Sequence, residues 1–196
     1  MKPRRLIAAG ILVFVVALAE QCSSKPAPVP LTPVVSVREL MENIVEPTAD
    51  VIFDSVVTTS SASGVVETKP TSEDDWVKVQ RAAMLLAEAT NLLKMPRQVA
   101  PAGDEDTPGG EMSPAQIQAK VDADRAAFAT YADGLRDVAI KGLAVAKAKD
   151  VDGLYQVGSD LDKACEDCHL EYWYPGDRKA VLEDEQKRAT IRPPKK

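Results

Sequence analysis

Cys165-Glu166-Asp167-Cys168-His169, followed at once by Leu170-Glu171-Tyr172-Trp173-Tyr174, is the stretch around which the rest of the chain is organised. Two thiols three residues apart share one helical turn and can add across the two vinyl groups of a haem. The imidazole of the next residue then falls under the iron. The motif thus proposes one covalent haem c, with Cys165 and Cys168 as its thioether anchors and His169 as its proximal iron ligand. His169 is the single histidine in 196 residues, so no other imidazole competes for the iron or is left over as a general base. Other chemistries account for less of the motif. A thioredoxin-type C-x-x-C needs a βαβ context that the hydrophobic pattern lacks. Zinc would need further ligands, and Cys22 alone remains; a plain disulfide leaves the histidine unexplained.

Working back from the motif, Asp150 or Asp152 opens a helix in which Leu154, Leu161, Cys165 and Cys168 share a face, so the thiols sit on its core side. Before it, Ser113-Pro114-Ala115-Gln116 combines an N-cap, a proline at the first helical position and a glutamine three after the cap. This predicts the longest helix, continuous to about Lys149, with Ile117, Val121, Phe128, Tyr131, Leu135, Val138, Gly142 and Val145 on its core face. Pro96 to Met112 reads as an irregular crossover. Ser72-Glu73-Asp74-Asp75 caps another helix, which ends before Pro96. Its stripe is Trp76, Val79, Ala83, Leu86, Thr90 and Leu93, and Val77, Met84, Leu85, Leu92 and Met95 broaden it, predicting a largely buried helix.

Residues 58–71 read as loop, with Gly64-Val65-Val66 briefly extended. Ser36-Val37-Arg38-Glu39 is a capping box that starts the first helix. Its apolar positions Val37, Leu40, Met41, Ile44, Thr48, Val51, Ile52, Ser55 and Val56 predict one face running to about residue 57, kinked at Pro47. Pro175-Gly176 stops the last helix, and residues 176–196 are a charged, solvated tail with a short helix around Arg178 to Arg188. The fold class is all-α: an antiparallel four-helix bundle spanning 36–175, with the haem attached near the C-terminal end of the fourth helix.

Ahead of the bundle, Lys2, Arg4 and Arg5 precede an apolar run from Leu6 to Ala19 that has the layout of a secretory signal cleaved after Ala19. A lipoprotein signal ending at residue 21 is the alternative, with lipid on Cys22 tethering the domain to a membrane; an uncleaved anchor is a third. Residues 20–35 then form a flexible linker rich in serine and proline. All three place the domain outside the cytoplasm, in the periplasm, where bacterial c-type cytochromes acquire haem. Loss of residues 1–19 removes three positive charges and no negative ones, taking the formal charge from −6 to −9. Such a domain is unsuited to nucleic acid and suited to a redox partner with a basic docking face; solubility alone is the simpler reading of the same charge.

The order of helices, with C-x-x-C-H near the end of the last and Tyr172 three residues after the histidine, resembles the cytochrome c-prime group and its low-spin four-helix relatives. The resemblance covers roughly residues 36–174. It departs at Trp173, where the group usually has a basic residue, and in the two long interhelical loops. It implies that Met41, in the early turns of the first helix, is the candidate distal ligand through its thioether, as in the low-spin relatives. Its alternative reading is an ordinary core methionine. Helix pairs in the group often make homodimers.

Arg38, one turn before Met41, is a candidate propionate partner or a surface arginine. Tyr172 is a candidate for packing on the haem or at the end of the bundle. A closed sixth position suits one-electron transfer between proteins; an open one suits binding of NO or CO. A haem enzyme lacks the second histidine that would handle protons on the distal side, so the chain reads as a non-enzyme.

Overall fold

The structure, a computed structural model, describes residues 30–105, 107 and 109–191. The signal segment and Cys22 lie outside the described residues. The account below concerns the unit Pro33–Lys196.

Ser36 and Glu39 form the capping box that the sequence predicts, and the helix they open is not regular. It runs as α1 (Val37–Leu40), a π-helical segment (Met41–Val45) and α2 (Glu46–Phe53). Pro47 has no amide to donate, and its ring would crowd the carbonyl four residues back. The chain answers with a wider turn, in which the amide of Glu46 donates to the carbonyl of Met41.

The π segment inserts one residue into the helical register. The buried stripe is therefore Val37, Leu40, Val45, Ala49 and Ile52, and not the predicted series through Ile44, Thr48 and Val51. Ile44 and Val51 turn outward, 38% and 41% exposed. A strict 3.6-residue period cannot anticipate this shift, because the period itself changes at the proline.

The segment read as loop is a hairpin of β1 (Val57–Ser61) and β2 (Gly64–Thr68), antiparallel, with Val57 opposite Thr68 and Ser61 opposite Gly64. Its β-branched residues favour extended backbone, and Gly64, at φ +128°, supplies a conformation that other residues resist. Both strands are exposed throughout, so no burial pattern announces them. Thr58 reaches the hydroxyl of Tyr155 at 3.2 Å, at the end of the last long helix remote from Cys165.

α3 (Glu73–Lys94) starts at Ser72 with a second capping box, closed by Asp75. Bonds from Ser72 and Thr71 hold the Asp75 carboxyl down to about 2. The predicted stripe of α3 is buried, but Met84, Leu85 and Leu92 are exposed, so the helix is one-sided and not enclosed as expected.

The predicted long third helix is broken. α4 (Pro114–Ala123) ends at Asp124, whose side chain then caps α5 (Arg125–Ala148) by accepting from Ala127 at 2.9 Å. An aspartate that can cap competes with helix continuation. The break lets α4 contact α6 (Val151–Tyr172) as well as α5.

The molecule is thus mostly helical, with α3 packed on α5, α5 on α6, and α2 on α3. Gly142 permits the close approach of α5 and α6, since a Cβ there would lie 3.2 Å from Val157 Cγ1. Leu86, Leu154, Val157 and Leu161 are fully buried between these helices. After a 3-10 turn (Pro175–Asp177), α7 (Arg178–Ile191) extends the tail in helical form. Its first residues are exposed, and Arg178 pairs with Glu171 at 2.6 Å. Among the described residues no helix is long and apolar enough to cross a membrane.

Candidate functional site

α6 carries the motif on its last two turns, and its inner face decides what the thiols meet. Cys165 and Cys168, both reduced and partly buried, open with His169 onto an apolar cavity. The lining also includes Val37 of α1 and Met41, the first residue of the π segment. Leu93 from the end of α3, Phe128, Tyr131, Ala132 and Leu135 from α5, and Ala164 and Trp173 complete the lining. The chain therefore brings Met41, 124 residues away from Cys165 in sequence, to the same cavity as the C-x-x-C-H motif.

Burial sets the protonation of the donors. It pushes the Cys165 thiol up to about 11, with Asp162 and Glu166 adding repulsion. The Cys168 thiol is pushed up to about 12, chiefly by burial, then by Cys165, Glu171 and Asp167. His169 is pushed down by burial, against the opposing pull of Glu166, Glu111 and Glu46. Near neutral pH the site therefore holds two neutral thiols and a neutral imidazole, the form of histidine that ligates metals.

The sign of the linkage follows from these shifts. Raised thiol pKa values mean stability that is complete below the unfolded value of 9.0 and lost as pH climbs through the folded ones. At pH 10, one unit above the unfolded value and still below both folded ones, the chain with free thiols is expected to have lost about 2–3 kcal/mol, at about 1.4 kcal/mol per pH unit for each of the two thiols. Thiolate absorbance in the near ultraviolet checks it: half-formation should come well above pH 10 in the folded chain and near pH 9 in urea. Coincident curves would mean the thiols are solvated.

Two of the sequence-derived residues lie elsewhere. Tyr172 is only 3% exposed and does not line the cavity. Its ring stands edge-on behind the wall, with centroids 5.1 Å from Phe128 and 5.7 Å from Tyr131, which braces the two lining aromatics. Arg38 points to the crossover, pairing with Asp104 at 2.7 Å, while the amides of Val37 and Arg38 donate to the carbonyls of Gln98 and Val99. Its role is to fasten the start of the first helix.

Sequence reasoning marks Val37, Leu93, Phe128, Tyr131 and Leu135 as core positions without tying them to the motif. Ala132 and Ala164 carry no signal of their own: only packing of α5 on α6 reveals them. The end of α6 is held by Lys120 of α4, which binds the carboxylate of Glu171 at 2.7 Å and also its backbone carbonyl.

The donor set fits a haem. Paired thiols, an imidazole and a thioether belong to residues lining one cavity whose other walls are hydrocarbon and aromatic ring, a lining suited to a macrocycle with apolar faces. The cavity is narrow, about 30 Å³, so a planar macrocycle would need its walls to part. No family model, curated protein or solved structure matches this chain.

Proposed function

We propose that the chain is an exported monohaem c-type cytochrome that passes single electrons between proteins outside the cytoplasm. The observation that carries this reading is the convergence of Met41 with Cys165, Cys168 and His169 on one apolar cavity. In this reading the first helical run, α3, α5 and α6 form the antiparallel four-helix bundle of the cytochrome. Haem c, once bound, supplies a one-electron iron couple. Cys165 and Cys168 would hold it covalently to α6, and His169, kept neutral by burial, would offer its lone pair from the same helix.

Met41 would offer the group a soft sulfur donor that needs no deprotonation, a donor type that favours reduced iron. Phe128, Tyr131, Leu93 and Leu135, which line the cavity, would exclude water from the bound group. That exclusion limits the solvent rearrangement that would otherwise accompany each change of charge. The acidic formal charge of −9 left after removal of the signal segment suits a partner with a basic face. The periplasm is the matching location, with Cys22 as the lipid-tether alternative.

An optical spectrum of the purified, haem-loaded protein, oxidised and reduced, with and without CO, tests the reading. Sharp reduced bands that ignore CO are expected, because the thioether occupies the sixth position. Broad high-spin bands that move with CO would mean an open iron and a protein that binds NO or CO.

A further inference from the structure

We infer that Trp173 and Tyr174 are positioning residues for His169: their two rings set the plane of the imidazole in which it meets the iron. The inference rests on the haem-binding reading above. A metal-ligating histidine ordinarily has its second ring nitrogen hydrogen-bonded to a carboxylate, carbonyl or water, and that bond fixes the ring. Among the described residues no hydrogen bond reaches the ring of His169; two aromatic rings stand against it, and Glu166, Glu111 and Glu46 act on it through charge alone. Trp173 lies 5.9 Å away between centroids and is inclined at 57°, and Tyr174 lies 5.8 Å away at 62°.

The way the helix ends produces this arrangement. Trp173 follows His169 by four residues, which puts it on the same helical face one turn later. Tyr174 would point away if the helix continued, but the backbone leaves helical geometry there, at φ −131° and ψ 60°, and the ring swings back. The amides of Trp173 and Tyr174 both donate to the carbonyl of His169, at 2.8 and 3.0 Å.

Both residues are fastened in turn, Trp173 through its backbone and Tyr174 through its ring hydroxyl. The carbonyl of Trp173 accepts from the amide of Met112 at 2.7 Å, and the hydroxyl of Tyr174 donates to Glu166 Oε2 at 2.9 Å. Met112 packs against the core beside Trp173. Trp173 also lines the cavity, as His169 does, so its indole borders the imidazole at the edge of the space where the macrocycle would lie. The crossover, the end of α6 and the motif thereby share one clamp, whose end point is the orientation of a single side chain.

The test is proton NMR of the haem-loaded full chain. In the oxidised protein the hyperfine shifts of the haem methyl groups depend on the plane of the axial imidazole. Trp173→Ala is expected to change their order or narrow their spread, and Trp173→Phe to restore the wild-type pattern. Tyr174→Phe, which keeps the ring and loses the bond to Glu166, should give a smaller shift. An unchanged methyl pattern in Trp173→Ala overturns the inference.

A second measurement needs no variant. With one histidine in the chain, cross-relaxation from its ring protons to the Trp173 and Tyr174 rings can be assigned without ambiguity. Its presence in the reduced protein supports the clamp, and its absence overturns it. A chain that purifies without haem overturns the cytochrome reading, while the same cross-relaxation still decides the clamp.

Discussion

Replacing Cys165 and Cys168 together by serine is expected to abolish retention of haem through denaturation, with haem stain on a denaturing gel falling to background. Serine is close to cysteine in size, but its hydroxyl does not add to a vinyl group, so both covalent links disappear while the shape of the cavity is kept. Single replacements, Cys165→Ser or Cys168→Ser, should leave one thioether and a reduced covalent yield. Both thiols face the cavity from the inner side of α6, where the wall is apolar, and each serine there needs a hydrogen-bond partner. A cost of roughly 1–3 kcal/mol per unsatisfied buried hydroxyl follows, readable as a lower urea midpoint for the haem-free chain.

Replacing His169 by glycine should spare covalent attachment and destroy the axial bond, with added imidazole restoring part of the spectrum. Haem that stays bound to the double serine variant through denaturation would put the attachment elsewhere and sink the assignment.

The half of the cavity built by the C-x-x-C-H motif is legible in the sequence because its chemistry is local. Cys165, Cys168 and His169 declare themselves within five residues, and the caps at Ser36, Ser72, Ser113 and Asp150 declare where the helices begin. Interruptions and the facing wall are harder, because they depend on choices the sequence leaves balanced. Asp124 is as compatible with an exposed helical aspartate as with a cap, and only the contact of α4 with α6 decides for the cap.

Pro47 signals a disturbance but not its form. A simple kink would have kept Ile44 inside; the inserted residue of the π turn puts Val45 there instead. The hairpin at Val57–Thr68 was hidden because neither of its faces is buried, which removes the alternation on which a strand is recognised. Arg38 illustrates a different limit. Its place one turn before Met41 is consistent with a propionate partner, but Asp104, 66 residues away, takes its guanidinium at 2.7 Å. No local pattern carries that pairing.

Met41→Leu is the second large effect to expect. Met41 is the residue at which α1 gives way to the π segment, and its carbonyl is engaged by the amide of Glu46. Its amide in turn donates to Val37 and Arg38. The backbone is thus tied on both sides, and the side chain is directed into the cavity shared with His169. Leucine keeps nearly the same volume, so the exchange should cost less than about 1.5 kcal/mol, whereas Met41→Ala would cost on the order of 2 kcal/mol at this half-buried site.

Leucine has no sulfur to offer. The thioether-to-iron absorption at the red end of the visible spectrum should therefore vanish completely in Met41→Leu, the reduction potential should fall, and CO should bind where it did not before. Separating the two variants separates packing from ligation: a spectral loss common to both, with stability lost mainly in the alanine variant, is the signature of a ligand. If Met41→Leu keeps its red-edge band and still ignores CO, Met41 is a wall residue. The low-spin reading would then need another donor, and along the described lining of this cavity no second methionine stands to provide it.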